Sequence, residues 1–422
     1  MTYRVQLANG LRIVGEEIDS VRSVSLGIWI KTGSRYETLR ENGVSHFLEH
    51  MFFKGTDRFS ARDLAQAFDD LGGQVNAFTS KEYTCFYARV LDEHFSIALD
   101  TLADMLLHSK FAPDEIEKEK RVVIEEIRMY EDTPDELVMD LLAEGIYRKH
   151  PLGYTILGRE ENLLSFSRDD LLSYIDRRYR PEEIVVSIAG HIEQSQACAE
   201  VERLFGGLRR PPLSAAVRVE EPPFHVSLQT REKDIEQVHL CLSSPGFQAG
   251  SREMYPLILL NNILGGTQSS RLFQEIREER GMAYSVYSFH TAYQDAGMFG
   301  IYAGTSPENV EDVMQAIYRV CGELRDRPLK PAELEKAKQQ VKGAMMLGLE
   351  STGSRMSRIA KNELLLGREV TIDETLAGIE AVTAEDVQRI AERVLGQPFA
   401  LSAVGPVADL DLDKWVGEKA LQ

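Results

Sequence analysis

Two stretches half a chain apart open helices in the same way. Pro113-Asp114-Glu115-Ile116-Glu117-Lys118-Glu119-Lys120 is echoed by Pro331-Ala332-Glu333-Leu334-Glu335-Lys336-Ala337-Lys338, an offset of 218 between positions 113 and 331. Ser167-Arg168-Asp169-Asp170 is echoed by Thr383-Ala384-Glu385-Asp386 at an offset of 216. The first pair carries proline and acids in its opening turn, and the second has the spacing of a capping box. Each echo alone is an ordinary helix start. Their near-constant offsets predict one folding unit used twice.

The segments between the echoes agree. Tyr3 to Leu7 and Leu11 to Val14 alternate apolar and polar around Asn9-Gly10, which predicts a hairpin with a two-residue primed turn. Val24 to Ile30 reads as a strand, followed by a helix with Asn42 as its cap, ending near Gly55. Ala61 to Leu71 is amphipathic and stops at Gly72-Gly73. The alternating stretches Gln74 to Ser80 and Tyr83 to Val90 then read as adjacent strands. In the second half, strand Gln237 to Ser243, helix Met254 to Leu264 and strands around Tyr284 to Ala292 and Gly297 to Ala303 repeat that order. Arg209-Arg210-Pro211-Pro212 and Glu220-Glu221-Pro222-Pro223 mark an extended connection. The expectation is an α+β chain of two homologous domains, 1–212 and 224–422, joined by a linker at 213–223. Each domain is a mostly antiparallel sheet with helices packed on it.

Composition narrows the function. The chain has 422 residues and a formal net charge of -19, which argues against nucleic acid or an anionic membrane as a partner. No apolar run approaches the length of a membrane span and the N-terminus has no apolar signal core, so a cytoplasmic location is expected. Cys85, Cys198, Cys241 and Cys321 are scattered, with no Cys-x-x-Cys pair; they read as reduced, buried thiols.

Against that background one pentapeptide stands out: His46-Phe47-Leu48-Glu49-His50. Histidines four apart lie one turn above each other on a helix, so both imidazoles can reach one metal ion. Glu49 follows His46 by three, projects toward the same face and can accept a proton from a water that the metal acidifies. His-x-x-Glu-His is the inverzincin order, yet three fixed positions out of five also occur in helices whose histidines merely pack. A catalytic zinc needs a third protein ligand. His94, His108, His150, His191, His225, His239 and His290 are scattered and read as surface or locally bonded residues. A carboxylate from a second helix is the alternative. Glu119 and Glu126 share a face two turns apart, whereas Glu125 is turned away by about 100°. Spacing alone does not separate that pair from a solvated face on which acids alternate with Lys118, Lys120, Arg121 and Arg128. The duplication adds a contrast: Ala337 and Ala344 stand at the matching positions of the second copy, and helix Met254 to Leu264 has no histidine.

Asn42 to Thr56 together with Glu119-Lys120-Arg121-Val122-Val123-Ile124-Glu125-Glu126-Ile127 resembles the pitrilysin-type inverzincin metallopeptidases, the M16 family. The likeness is greatest to the processing-peptidase β-subunit branch and its bacterial homologues, and it covers almost the whole chain. It implies a zinc metalloendopeptidase with one zinc per chain on His46, His50 and Glu126. Glu49 would be the general base, and Glu119 would orient a ligand histidine. It further implies that Asn76 and Ala77 lie on an edge strand to which a substrate peptide adds as an extra strand. Arg277 and Tyr284, seven apart in Arg277-Glu278-Glu279-Arg280-Gly281-Met282-Ala283-Tyr284, would grip the substrate and stabilise the oxyanion. The family's four-domain chamber implies a homodimer for a chain of two domains, acting on peptides or unfolded polypeptides. The competing reading is a non-catalytic structural subunit of the same fold. Such relatives have damaged zinc motifs, and this motif is intact.

Overall fold

The computed structural model describes residues 2–209 and 222–417. The expected linker 213–223 therefore lies outside the described residues except at Pro222 and Pro223. The chain forms two compact units, described separately below.

The first unit contains β1 (Thr2–Gln6), β2 (Arg12–Glu17), β3 (Ser23–Ile30), β4 (Gln74–Thr79), β5 (Thr84–Leu91) and β6 (Ile184–Gly190). They form one sheet in the order β1-β2-β6-β3-β5-β4. Only β2 and β6 run parallel; the other neighbours are antiparallel. The second unit contains β7 (Leu228–Glu232), β8 (Val238–Pro245), β9 (Ala283–Ala292), β10 (Gly297–Thr305) and β11 (Ala400–Gly405), in the order β7-β11-β8-β10-β9. Its single parallel pair is β7 with β11. The second sheet thus repeats β2-β6-β3-β5-β4 strand for strand, as a duplicated unit requires.

β3 explains why helices cover both faces of the first sheet. Val24 to Ile30 is buried without alternation, the pattern of a strand with no solvent face. Leu26, Ile28 and Ile30 join the larger core with Phe47, Phe52, Phe86 and Leu102, while Trp29 packs on the other side with Cys85, Val185 and Met356. Met356, Ile359, Ala360 and Leu364, which cover that second side, belong to helix Thr352–Leu366. This helix is pinned by its buried Glu363, whose carboxylate accepts from Arg4 at 2.8 and 3.0 Å and from Arg12 at 3.1 Å. In the second unit the corresponding cover is helix Pro134–Tyr147, whose Val138 carbonyl accepts from Ser402 Oγ at 2.7 Å.

Each unit is therefore completed by a helix from the other half of the sequence. Contiguous blocks 1–212 and 224–422 give way to interleaved ones. The first unit is Met1–Arg128, Tyr154–Val219 and Gly348–Glu369, and the second is Met129–Gly153, Glu220–Leu347 and Val370–Gln422. The physical reason is the doubly buried sheet, which needs apolar cover on both faces.

The first hairpin also differs in detail. Leu7 N–H donates to Leu11 O at 2.8 Å and Gly10 N–H to Leu7 O at 2.9 Å, so three residues, Ala8 to Gly10, make the loop. Of the three, Gly10 alone has a positive φ, +96°, whereas a two-residue type I′ turn needs two such positions.

Candidate metal centre

The motif helix is Val44–Met51. Asn42 does not cap it. The residue before the helix is Gly43, with φ +100°, and a Cβ there would come within 2.8 Å of Gly158 Cα and of Leu157 O. The cap comes instead from Glu37, a buried carboxylate six residues upstream of Gly43. It accepts from Gly43 N–H and Ser45 N–H, both at 2.8 Å, and from Asn42 Nδ2 at 3.1 Å. Burial pushes the Glu37 carboxyl above the usual range, against the pull of these donors. An anion at a helix N-terminus is where the macrodipole favours it, so Glu37 fixes the start of the helix that carries the histidines.

Helix Pro113–Glu131 supplies the facing carboxylates. Glu126 Oε1 lies 3.6 Å from His46 Nε2, and Glu126 Oε2 lies 3.4 Å from His50 Nε2. One ligand-type atom from each of the three residues falls within 4.8 Å of the others, and they form the one such cluster found among the described residues. Glu119, two turns earlier and buried, has Oε1 at 2.8 Å from His50 Nδ1. With Nδ1–H donating to that carboxylate, the neutral imidazole would have its Nε2 lone pair available to a metal. Lys54 Nζ sits 2.5 Å from Glu119 Oε2, so the orienting carboxylate is itself held. Three other acids of the helix have cation partners of their own. Glu125 is exposed and pairs with Arg128, Glu115 pairs with Lys118, and Glu117 with Lys120.

The electrostatics suit a cation. Burial and the neighbouring His50 hold the His46 pKa below its ordinary value, leaving a neutral imidazole. Burial acts the same way on His50, but hydrogen bonds to Glu119 and Glu126 and their charges carry its pKa up to about 9. Hydrogen bonding to His50 lowers the Glu126 carboxyl. The carboxylate pair thus retains a proton on His50 at neutral pH. His46, His50 and Glu126 would hold a divalent cation, which would satisfy the same charge. Two imidazoles and one carboxylate make a three-ligand zinc set with a position left open, so the residues fit the metal.

Glu49 is held from the side of the sheet: Thr79 Oγ1 donates to its Oε2 at 2.6 Å. Burial raises the Glu49 carboxyl, and this hydrogen bond opposes the rise. Thr79 ends β4, the edge strand of its sheet. Asn76 and Ala77 lie on the same strand, and the Ala77 N–H donates to Asn76 Oδ1 at 2.8 Å. Asn76 is exposed. Arg277 and Tyr284 belong to the second unit. Arg277 lies in the π-helical turn Phe273–Glu279, and Tyr284 lies in β9. Arg277 Nη1 donates to Tyr284 O at 2.8 Å, and its guanidinium lies 4.5 Å from the Tyr284 ring centroid and 4.8 Å from that of Phe273. The Tyr284 side chain is largely in solvent, at 76% exposure. The pair is pre-formed and accessible.

Two sequence profiles match consecutive parts of the chain. Residues 12–160 match the one described as "Insulinase (Peptidase family M16)", and residues 165–341 match "Peptidase M16 inactive domain". The protein named "Uncharacterized zinc protease YmxG" of Bacillus subtilis is 50% identical, over 97% of this chain and 100% of its own length. The chain belongs to peptidase family M16. A protein of Streptomyces coelicolor, also named a zinc protease, is 40% identical over 96% of this chain and 90% of its own. A protease from Helicobacter pylori has the same fold, with a TM-score of 0.88 over 96% of this chain and 98% of that one, at 21% identity. The split into a peptidase and an inactive profile agrees with the one-sided distribution of the ionisable cluster. Ala337 in the second unit is buried among apolar neighbours where Glu119 stands in the first.

Three residues of the site were not singled out from the sequence. Lys54 lies three residues past the end of the motif helix, so helical spacing gave no signal for it. Thr79 follows Ala77 by two and therefore shares its face of the strand. Glu37 left no signal, because a cap from outside the first turn has no fixed spacing.

Proposed function

We propose that the chain is a zinc metalloendopeptidase that cleaves peptides bound as an added strand on β4, in an enclosed chamber completed by a second copy of the chain. The observation that carries this reading is the convergence of His46, His50 and Glu126 within 4.8 Å, beside a Glu49 that forms no ion pair among the described residues. Zinc on those three residues would supply Lewis acidity toward the scissile carbonyl and the attacking water. The rest of the chemistry falls to the chain. Glu49, with one oxygen tied to Thr79, takes the proton of the attacking water and returns it to the leaving amine. Its burial-raised pKa suits a base that must later act as an acid. Glu119 and Lys54 keep His50 in one tautomer and one orientation. Arg277 and Tyr284 hold the peptide backbone and the developing oxyanion. The resemblance to processing peptidases supports presequence-like or unfolded segments of limited length as substrates, and a homodimer as the working form.

The test combines metal analysis with a quenched-peptide assay. Wild-type protein is expected to bind one zinc and hydrolyse peptides. Glu49→Gln is expected to keep its zinc and lose about 10²–10⁴-fold in kcat. Undiminished hydrolysis by Glu49→Gln would refute the assigned base.

A further inference from the structure

β4 divides the surroundings of a bound peptide into two sides. Val75 and Ala77 pack on the core that carries the motif helix, and Thr79, on the same side, reaches Glu49. Gln74 and Phe78 point the other way, because successive side chains of a strand alternate. On that other side lies a cleft of about 730 Å³, wholly within the first unit, between the β4-β5 surface and helix Thr352–Leu366. Its floor is Phe78 and Tyr87, whose rings lie 6.1 Å apart. Arg89 rises from β5, directly opposite Gln74 in the register. Arg358 and Lys361, three apart on the helix, supply two further cations. No carboxylate is among the described residues that line the cleft. In a chain with 67 acidic and 48 basic residues, a concave surface with three cations and no acid runs against the composition.

We propose that this cleft is a side-chain subsite that selects acidic residues in the bound peptide. The inference rests on the proposed addition of substrate to β4. A strand added there lies about 5 Å from it and alternates in the same way. Every second side chain of the peptide then faces the side of Glu49, and the intervening ones face the cleft. A glutamate or aspartate at an intervening position lies beside Gln74 and Phe78, within reach of Arg89 and Lys361. A guanidinium accepts a carboxylate through two parallel hydrogen bonds, and a concave wall of one sign strengthens the attraction. A lysine or arginine at the same position meets the like charges of Arg89 and Lys361, so the cleft also rejects basic residues at the intervening positions.

The experiment is cleavage-site profiling with zinc-loaded full-length protein, using a peptide library and matched peptides that differ by Glu, Gln or Lys at one position. Wild type is expected to favour Asp or Glu at positions an odd number of residues from those facing the metal centre. In the doubly reversed variant Arg89→Glu/Lys361→Glu, the ratio of kcat/KM for the Glu peptide to that for the Gln peptide should fall about tenfold. The Lys peptide should gain over the same comparison. Equal profiles for wild type and variant, or no acidic preference in wild type, would overturn the subsite. If wild type cleaves nothing, the peptidase reading fails, and the cleft is still read by fluorescence anisotropy with the same peptides and Glu49→Gln protein. Binding that ranks Glu above Gln above Lys, and reverses when Arg89 and Lys361 are also changed to Glu, supports the subsite. Binding indifferent to that charge refutes it.

Discussion

At the scale of single residues, the site depends on partners that no pentapeptide contains. Thr79 donates to Glu49 and thereby stabilises its ionised form. A base works only when ionised, so activity falls as the pH drops through the Glu49 pKa. Thr79→Val removes an interaction that lowers this pKa. The acid limb of the kcat/KM profile should therefore move to higher pH, and kcat near neutrality should drop about tenfold. An unchanged acid limb would exclude Thr79 as the residue that positions the base. Glu119 acts on the metal through His50. Glu119→Gln should weaken zinc binding about 10- to 100-fold, read by competition with a chromogenic chelator. Wild-type affinity in that variant would mean that His50 is oriented by something else. The histidine pair and its facing carboxylates were legible in the sequence as types and spacings. The choice of Glu126 over its acidic neighbours was not, because helical periodicity gives a face and leaves open what stands across from it.

At the scale of elements, the most informative departure is the cap of the motif helix. Asn42 has the right chemistry and the right place in sequence, yet it spends its amide on Glu37 and on Thr155 O at 2.8 Å. Local propensity lost to a tertiary contact. Glu37 gathers three donors at the end of the helix that presents His46 and His50. Glu37→Ala leaves those buried donors unmet and should destabilise the protein by about 3 kcal/mol in urea unfolding. Zinc affinity should fall with it, because the first turn of the helix loses its anchor. The regular elements were easier to read. The capping boxes at Ser167–Asp170 and Thr383–Asp386 both form, and they begin helices at Arg168 and Ala384. Caps contained within one turn have fixed spacing, and that is why they can be read without the fold.

At the scale of the whole molecule, duplication was visible as a period, but the exchange of covering helices was not. Helices Pro134–Tyr147 and Thr352–Leu366 are apolar on one face like many others, and nothing in their own sequence says which sheet they cover. The same distinction governs the proposed dimer. The zinc cluster and the Arg277–Tyr284 pair lie in different units of one chain, and the proposed chamber has the pair serving the metal centre of the other copy. Two variants separate this from action within one chain. Glu49→Gln removes the base and Arg277→Ala removes the grip, so each homodimer should be inactive. After subunit exchange of an equal mixture, half of the dimers carry one chain of each kind. In such a dimer the intact Glu49 faces the intact Arg277 of its partner if the pair works across the interface. Activity should then recover to about a quarter of the wild-type level, since one site in four is whole. If Arg277 serves its own chain, every site in the mixture lacks one of the two groups and no activity returns.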